Sequence, residues 1–414
     1  MIPAVADELI PIERARELVL ARVPAPVSEP VALRESLGRV LAEPVEAAED
    51  VPGFDNSAMD GYAIRAADCA DAGPESPAIL PVTDESRAGH PATRELGAGE
   101  AIAISTGAML PAGADAVVRV EDTERRSGDV AVLAAVAPGT AVRRAGEDVR
   151  AGEALLAAGT PLGAAEVGAL AAVGLAEVPC ARRPRLSLLL TGDELIEPGR
   201  PLGPGQIRDS NAYAVPPLAR AAGADTAPAV IAPDDRERTI ELLDRALLAD
   251  VAVVCGGVSV GEHDHVRPAL GELGVEQVFW RVSLRPGKPT YFGVGPAGTL
   301  VFGLPGNPVS AMVTFLLFVR PALLAMQGRD PAAGRLRASL GADHDSVPGR
   351  AEAIRVTLDA GERGWVATPT GPQGSHVLTS MIGADGLAFA PSEAERMRAG
   401  DRIDVELLPG AALR

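Results

Sequence analysis

The sequence predicts a multidomain α/β protein organised around a doubly wound, mostly parallel sheet, and three observations predict it. From Pro184 onward, strand-length apolar runs alternate with amphipathic helical segments. Between about Asp50 and Gly146, and again after about Gly334, the pattern changes to short Val, Ile and Ala runs between Gly and Pro turns. The third observation is length: 414 residues exceed what one hydrophobic core holds, and 47% apolar residues suffice for several cores.

Residues 1–49 carry helical spacing at Ile12, Ala15, Leu18 and Val19 before a break at Pro24, Pro26 and Pro30. Residues 147–183 return to Ala-rich helical periodicity around Glu166–Val173, so the two segments form one N-terminal helical and mixed domain. Residues 50–146 are then a β-rich module inserted into it. Residues 184–332 form the α/β domain. There, Leu186–Leu190 is a strand ending in Thr191-Gly192-Asp193-Glu194, and a second strand ends at Ile231, with Asp234 placed to cap the next helix. Val251–Cys255 is a third strand, followed at once by Gly256-Gly257-Val258-Ser259-Val260-Gly261, while Asn307 and Pro308 mark a helix start. Pro216-Pro217 interrupts the helical pattern from Asn211 to Ala222, so that helix is expected to begin late or to kink. Residues 333–414 alternate in Ala353–Leu358 and Arg402–Leu407 and read as a small β-barrel or sandwich, with the barrel preferred.

Composition narrows the function. A net charge of −18 argues against an extended nucleic-acid surface, which needs a basic stripe, but leaves room for a local basic pocket that takes a small anion. Cys69, Cys180 and Cys255 are far apart and show no pairing pattern, which fits a reducing compartment. The acidic N-terminus lacks the features of a signal peptide, and the longest apolar stretch, Ala311–Val319, is stopped by Arg320-Pro321 well short of the ~20 residues that span a bilayer. A cytoplasmic protein without membrane insertion is expected.

The chain holds 38 basic residues, of which only Lys288 is a lysine. It lies in the turn Leu284-Arg285-Pro286-Gly287-Lys288-Pro289. Lysine is a compact point charge where arginine is a planar fork, so the one position that keeps lysine is either a site for a small cation beside an anion or a lysine that happens to fall there, and its surroundings decide between the two. In a doubly wound sheet, ligands sit outside the carboxyl ends of the strands. That is where TGDE (191–194), GGVSVGEHD (256–264), PGKP (286–289) and LPGNPVS (304–310) fall. Glycine loops offer backbone N–H groups to phosphate, and Asp193, Glu194, Glu262 and Asp264 offer the oxygen ligands magnesium prefers. His263 and His265 flank Asp264, yet with no cysteine or third histidine nearby they are not read as a zinc site. Cys255 closes a buried strand and is read as structural rather than nucleophilic. Outside the sheet domain, Pro52-Gly53-Phe54-Asp55-Asn56-Ser57-Ala58-Met59-Asp60-Gly61-Tyr62-Ala63 and Arg143-Arg144-Ala145-Gly146-Glu147-Asp148 are dense in polar and charged residues.

Seven of these segments, PGFDNSAMDGYA, STGA (105–108), RRAGED, TGDEL, GGVSVGEHD, PGKP and LPGNPVS, occur in the order and approximate spacing of the molybdopterin molybdenumtransferases. The chain resembles this molybdenum insertase family, MoeA and the gephyrin E-domain, over essentially its whole length. The resemblance implies a four-domain homodimer whose sheet domain has the molybdopterin-binding fold. It further implies magnesium-dependent insertion of molybdate into adenylylated molybdopterin with release of AMP. By motif position it implies catalytic roles for Asp60, Thr106, Asp148, Glu194, Asp264 and Lys288. It places substrate at Gly256, Gly257, Ser259, Arg285, Pro289, Ser310, Arg350 and Ser375, and magnesium at Asp60, Glu194 and Asp264. Mg²⁺ and molybdate are the implied inorganic participants, with no tightly bound organic cofactor. The molybdopterin adenylyltransferase and molybdoenzyme acceptors are the candidate protein partners. Two departures from the family pattern stand out: Arg285 replaces the first lysine of the usual K-P-G-K-P turn, and histidines flank Asp264. Either could alter the choice between molybdate and tungstate. A non-enzymatic scaffold of the gephyrin kind and another nucleotide or sugar-phosphate transferase are the competing readings. Retention of all four acids argues against the first, and the PGFDNSAMDGYA module against the second.

Overall fold

A computed structural model describes residues 9–258 and 264–411. The central domain contains the strands β1 (Arg185–Thr191), β2 (Asp225–Thr226), β3 (Val230–Ala232), β4 (Val251–Cys255), β5 (Glu276–Trp280), β6 (Tyr291–Val294) and β7 (Leu300–Leu304). They form one seven-stranded sheet in the order β2-β1-β4-β7-β6-β5, with β3 also on β1. Pairings from β2 through β7 are parallel, and only β6 runs against its neighbours. Every residue of β4 and β7 is buried, as expected of strands covered on both faces.

Helices cover both faces. Helices α1 (Asn211–Ala221) and α4 (Pro308–Thr314) lie on one face, and α2 (Arg236–Ala246) and α3 (Val266–Glu272) on the other. Five of the seven phenylalanines, Phe279, Phe292, Phe302, Phe315 and Phe318, are fully buried in the first core, so a chain with 3% aromatics concentrates them where the domain is thickest. Each such side chain contributes roughly 1.5–3 kcal/mol by leaving water. The helix Ile12–Leu20 joins this same core through Ile12, Ala15, Leu18 and Val19, the four positions its spacing marks.

Three local expectations are corrected. The helix at Asn211 begins on time and continues through Pro216 and Pro217, with Val215 and Pro216 buried: packing against the sheet overrides the lost hydrogen bonds. The cap of α2 is Asp235, not Asp234, and its side chain accepts from Arg238 N at 2.8 Å. Nor does Arg320-Pro321 stop the helical stretch, which runs from Pro308 to Ala325 through a π turn at Phe315–Val319. Pro321 has no N–H for the Leu317 carbonyl, and Arg16 Nε donates to that oxygen instead at 3.1 Å. The stretch is long and apolar enough to cross a bilayer, but 78% of it is buried inside the protein.

The strands β8 (Arg335–Leu340), β9 (Ala351–Gly361), β10 (Gly364–Pro369), β11 (Gly386–Ala390) and β12 (Arg402–Leu407) close into a five-stranded barrel, β9-β10-β8-β12-β11 and back to β9. Leu284–Arg285 pairs in parallel with the start of β9, Leu284 opposite Ala351 and Arg285 opposite Glu352, which joins the barrel to the central domain. On the N-terminal side, Ser28–Ala32 pairs with Glu177–Ala181 and packs with the helix Ala164–Ala172 around Leu41, Leu162 and Leu170. Between these halves the chain makes a separate six-stranded sheet from Gly61–Ile64 to Asp129–Val132 with cores of its own. Arg182, at the boundary with the central domain, grips Asp250 with two hydrogen bonds of 2.9 Å.

Candidate active site

Because β1, β4 and β7 are parallel, their carboxyl ends share one edge of the sheet, and the loops that follow them meet there. The backbones approach too closely for side chains. At Gly256 (φ 94°) a Cβ would come within 2.6 Å of Thr191 Oγ1, and at Gly257 (φ 64°) within 2.5 Å of Val266 Cγ2. Glu194 is exposed, and its carboxylate folds over Gly192, where a Cβ would meet Oε2 at 2.4 Å. Asp193 accepts from Asp234 N at 3.1 Å, a local structural bond. Asp264 leads into α3 and is half-buried. Ser259, Glu262 and His263 lie outside the described residues.

Two residues at this edge escaped the sequence reading. Asp209 and Asn211, 4% and 6% exposed, stand at the start of α1. Asn211 Nδ2 donates to the Gly306 carbonyl at 2.8 Å, which ties α1 to the loop after β7. An acid and an amide opening an apolar helix resemble an ordinary cap, so burial, which sequence does not display, is the signal that would have found them. Burial pushes the Cys255 thiol up to about 12, consistent with an inert core cysteine.

Below this edge, the turn after β5 is rigid. The Lys288 carbonyl accepts from Val282 N at 3.0 Å and Thr290 N at 2.9 Å, and Thr290 Oγ1 donates to the Gly287 carbonyl at 2.6 Å. Gly287 (φ 124°) is packed so closely that a Cβ would meet Thr314 Cγ2 at 2.6 Å. The Lys288 side chain is exposed on this turn. Together with Arg285, Pro289, Ser310, Arg350 and Ser375 it lines a cleft of about 500 Å³ between the central domain and the barrel. All six were singled out from sequence, though they are spread from Arg285 to Ser375.

Glu352 and Gln373 complete the cleft and were not foreseen. Three cations therefore face one carboxylate. Burial opposes ionisation of Glu352, but the imidazole of His344, 3.6 Å away, and the Ser346 hydroxyl, 2.8 Å away, hold it below the usual carboxylate range. A cleft of about 620 Å³ between the first helix and the barrel is larger, but its Arg16 and Arg335 are both paired with Glu406.

The third group lies on the inserted module, where three motifs fold against one another. Asp60 Oδ1 accepts from Thr106 N at 2.7 Å and from Thr106 Oγ1 at 3.0 Å, and these bonds, the backbone one foremost, hold the carboxyl below its ordinary range. Gly61 is obligatory: a Cβ there would fall 1.9 Å from the Val118 carbonyl oxygen. Asp55 accepts from Ala145 N at 2.9 Å and pairs with Arg144 at 2.6 Å, while Asp148 N donates to the Val51 carbonyl at 3.0 Å. Asp60 and Asp148 are both exposed.

The expected magnesium set is not assembled within one chain. Among the described residues, no group of three His, Cys, Asp or Glu side chains could hold a metal ion. Asp60 belongs to the inserted sheet, whereas Glu194 and Asp264 belong to the central domain, each sheet having its own core.

Comparison with known proteins matches residues 10–174 to the MoeA N-terminal region (domain I and II), 187–325 to a probable molybdopterin binding domain and 337–408 to the MoeA C-terminal region (domain IV). The chain is 40% identical over 396 residues to molybdopterin molybdenumtransferase 2 of Mycobacterium tuberculosis, covering 93% of this chain and 96% of the relative. It is 34% identical over 404 residues to molybdopterin molybdenumtransferase of Haemophilus influenzae, covering 96% and 98%. A crystal structure of the molybdopterin biosynthesis MoeA protein from Pyrococcus horikosii superposes with a TM-score of 0.84 at 37% identity, over 97% of this chain and 99% of that one.

Proposed function

The chain belongs to the MoeA family of molybdopterin molybdenumtransferases, enzymes of molybdenum cofactor biosynthesis, and on that premise we propose that it inserts molybdate into adenylylated molybdopterin with magnesium dependence and release of AMP. The observation that carries this reading is the cleft around Lys288, a small basic site beside the carboxyl edge of the sheet. Molybdate is a dianion and adenylylated molybdopterin a polyanion, so their approach costs repulsion unless fixed cations and dipoles offset it. Lys288, Arg285 and Arg350 supply the charge for the oxyanion, with hydrogen bonds from Ser310 and Ser375. Pro289 shapes the turn. Gly256, Gly257 and Ser259 offer the phosphates a glycine loop.

Magnesium fits the donor chemistry of the acids, since it takes oxygen ligands and commonly holds only one or two carboxylates together with phosphates and water. Glu194 and Asp264 would hold it on the central domain, and Asp60 would join them from a second copy of the chain. When bound, the ion would neutralise charge developing on the phosphoanhydride. The wide division of the acids between two sheets supports a homodimeric site, in which Asp60, Thr106 and Asp148 of one subunit close over the sheet edge of the other. Three buried free cysteines are in keeping with a cytoplasmic location. An adenylyltransferase supplying the pterin and a molybdoenzyme accepting the product are the partners this chemistry requires.

Purified protein supplied with adenylylated molybdopterin, Mg²⁺ and molybdate is expected to release AMP and form the cofactor. Absence of AMP release with either molybdate or tungstate would contradict the proposal.

A further inference from the structure

A fourth cation, Arg355, stands behind the Lys288 cleft without lining it. Arg355, in the middle of β9, is 0% exposed and is the largest fully buried side chain among the described residues. No carboxylate hydrogen-bonds to it among those residues. Glu352 favours its charge without a hydrogen bond, and a buried cation that no carboxylate contacts directly is costly unless oxygen acceptors solvate it, so its acceptors report what it is for.

Two of its four side-chain acceptors lie on one loop. Arg355 Nη2 donates to the carbonyls of Pro372 at 3.5 Å and Gly374 at 3.3 Å, Nη1 to Ala353 at 3.3 Å, and Nε to Ser380 Oγ at 3.1 Å. Its backbone completes the arrangement: the Arg355 N–H donates to Gln373 Oε1 at 2.8 Å, and the carbonyl accepts from Thr370 N at 2.9 Å and Gln373 Nε2 at 3.3 Å. Residues 370–374 are therefore wrapped around one arginine. Gln373, Gly374 and Ser375 form the barrel-side wall of the cleft.

We propose that Arg355 is a positioning residue for oxyanion binding, holding the 373–375 wall opposite Lys288 so that the Ser375 hydroxyl and the loop's backbone face the anion. It touches no substrate. The proposal rests on the oxyanion reading of the cleft given above. Arginine is suited to the task because its planar fork serves several carbonyls at fixed angles, which the single ammonium of lysine does not.

The test uses the full-length protein with Arg355→Lys and Ser380→Ala, the latter removing the Nε acceptor together with the hydroxyl's own bond to the Val377 carbonyl at 2.6 Å. Thermal midpoints establish folding, hydrogen exchange of amides 371–378 reports the wall, and AMP release titrated with molybdate and separately with adenylylated molybdopterin reports the site. Arg355→Lys is expected to speed exchange in 371–378 and to raise half-saturating molybdate on the order of tenfold, with the pterin dependence little changed. Ser380→Ala is expected to move both readouts in the same direction by less. Unchanged exchange, or equal losses toward both substrates, would overturn the proposal. If Arg355→Lys fails to fold, Ser380→Ala decides: exchange and molybdate dependence identical to wild type would overturn it. If wild type itself releases no AMP, the function proposed for the cleft fails, while exchange and calorimetric titration with sodium tungstate still judge the positioning role.

Discussion

Asn307 Nδ2 lies 3.5 Å from the Ser375 hydroxyl oxygen, so the loop that follows β7 touches the barrel loop that walls the Lys288 cleft. Asn307 was expected only to cap α4. Its backbone does occupy the cap position, with Pro308 in the first turn, but its side chain makes no cap bond and reaches across to the barrel. A nucleotide at the sheet edge and an anion in the cleft would thus be neighbours.

Thr106 donates two hydrogen bonds to Asp60 and keeps it ionised to lower pH than an ordinary carboxyl. Thr106→Val removes the hydroxyl bond and leaves the larger, backbone one. The Asp60 pKa therefore rises part of the way toward its ordinary value. Since the depressed pKa keeps the anion present as pH falls, the variant loses activity at a higher pH than wild type does. A pH profile of AMP release checks this: the acid limb moves up, while the rate at neutral pH falls only modestly.

Asp264→Asn is expected to lower turnover by ~10²–10³-fold, the equivalent of losing several kcal/mol of charge stabilisation, with a thermal midpoint near that of wild type. Unchanged turnover would remove Asp264 from the metal site. Raising Mg²⁺ restores part of the activity if the remaining carboxylates still bind the ion weakly.

Gly256→Ala places a Cβ 2.6 Å from Thr191 Oγ1 and 3.0 Å from the Thr191 carbonyl oxygen, at a φ of 94°. The strain is of order 1–3 kcal/mol, enough to lower the thermal midpoint and spread the loops after β1 and β4. Gly298→Ala, also at positive φ (89°) but with nothing within 4 Å, serves as the control: it carries the backbone strain without the steric clash.

Why some of this was legible in the sequence and some not is clear from particular residues. The strands β4 and β7 were readable because burial on both faces leaves nearly continuous apolar runs, and the first helix because Ile12, Ala15, Leu18 and Val19 repeat at helical spacing. Arg285, Lys288, Ser310, Arg350 and Ser375 carried motif and family signals strong enough to group them across two domains. Pro216-Pro217 misled because its effect is set by tertiary packing. Asp209, Asn211, Glu352 and Arg355 left no sequence trace, since a polar residue inside an apolar segment is ordinary until its burial is known. The separation of Asp60 from Glu194 and Asp264 is a property of domain placement, which motif order does not encode.

The lone lysine remains the sharpest point of the account. Lys288→Arg keeps the charge and replaces a compact ammonium with a wider fork in a turn fixed by Gly287 and Thr290. The deciding measurement is the half-saturating molybdate concentration set beside the half-saturating adenylylated molybdopterin concentration for Lys288→Arg and wild type. The account predicts a rise on the order of tenfold for molybdate with little change for the pterin. Equal losses for both substrates would contradict it and return Lys288 to the standing of a general phosphate contact.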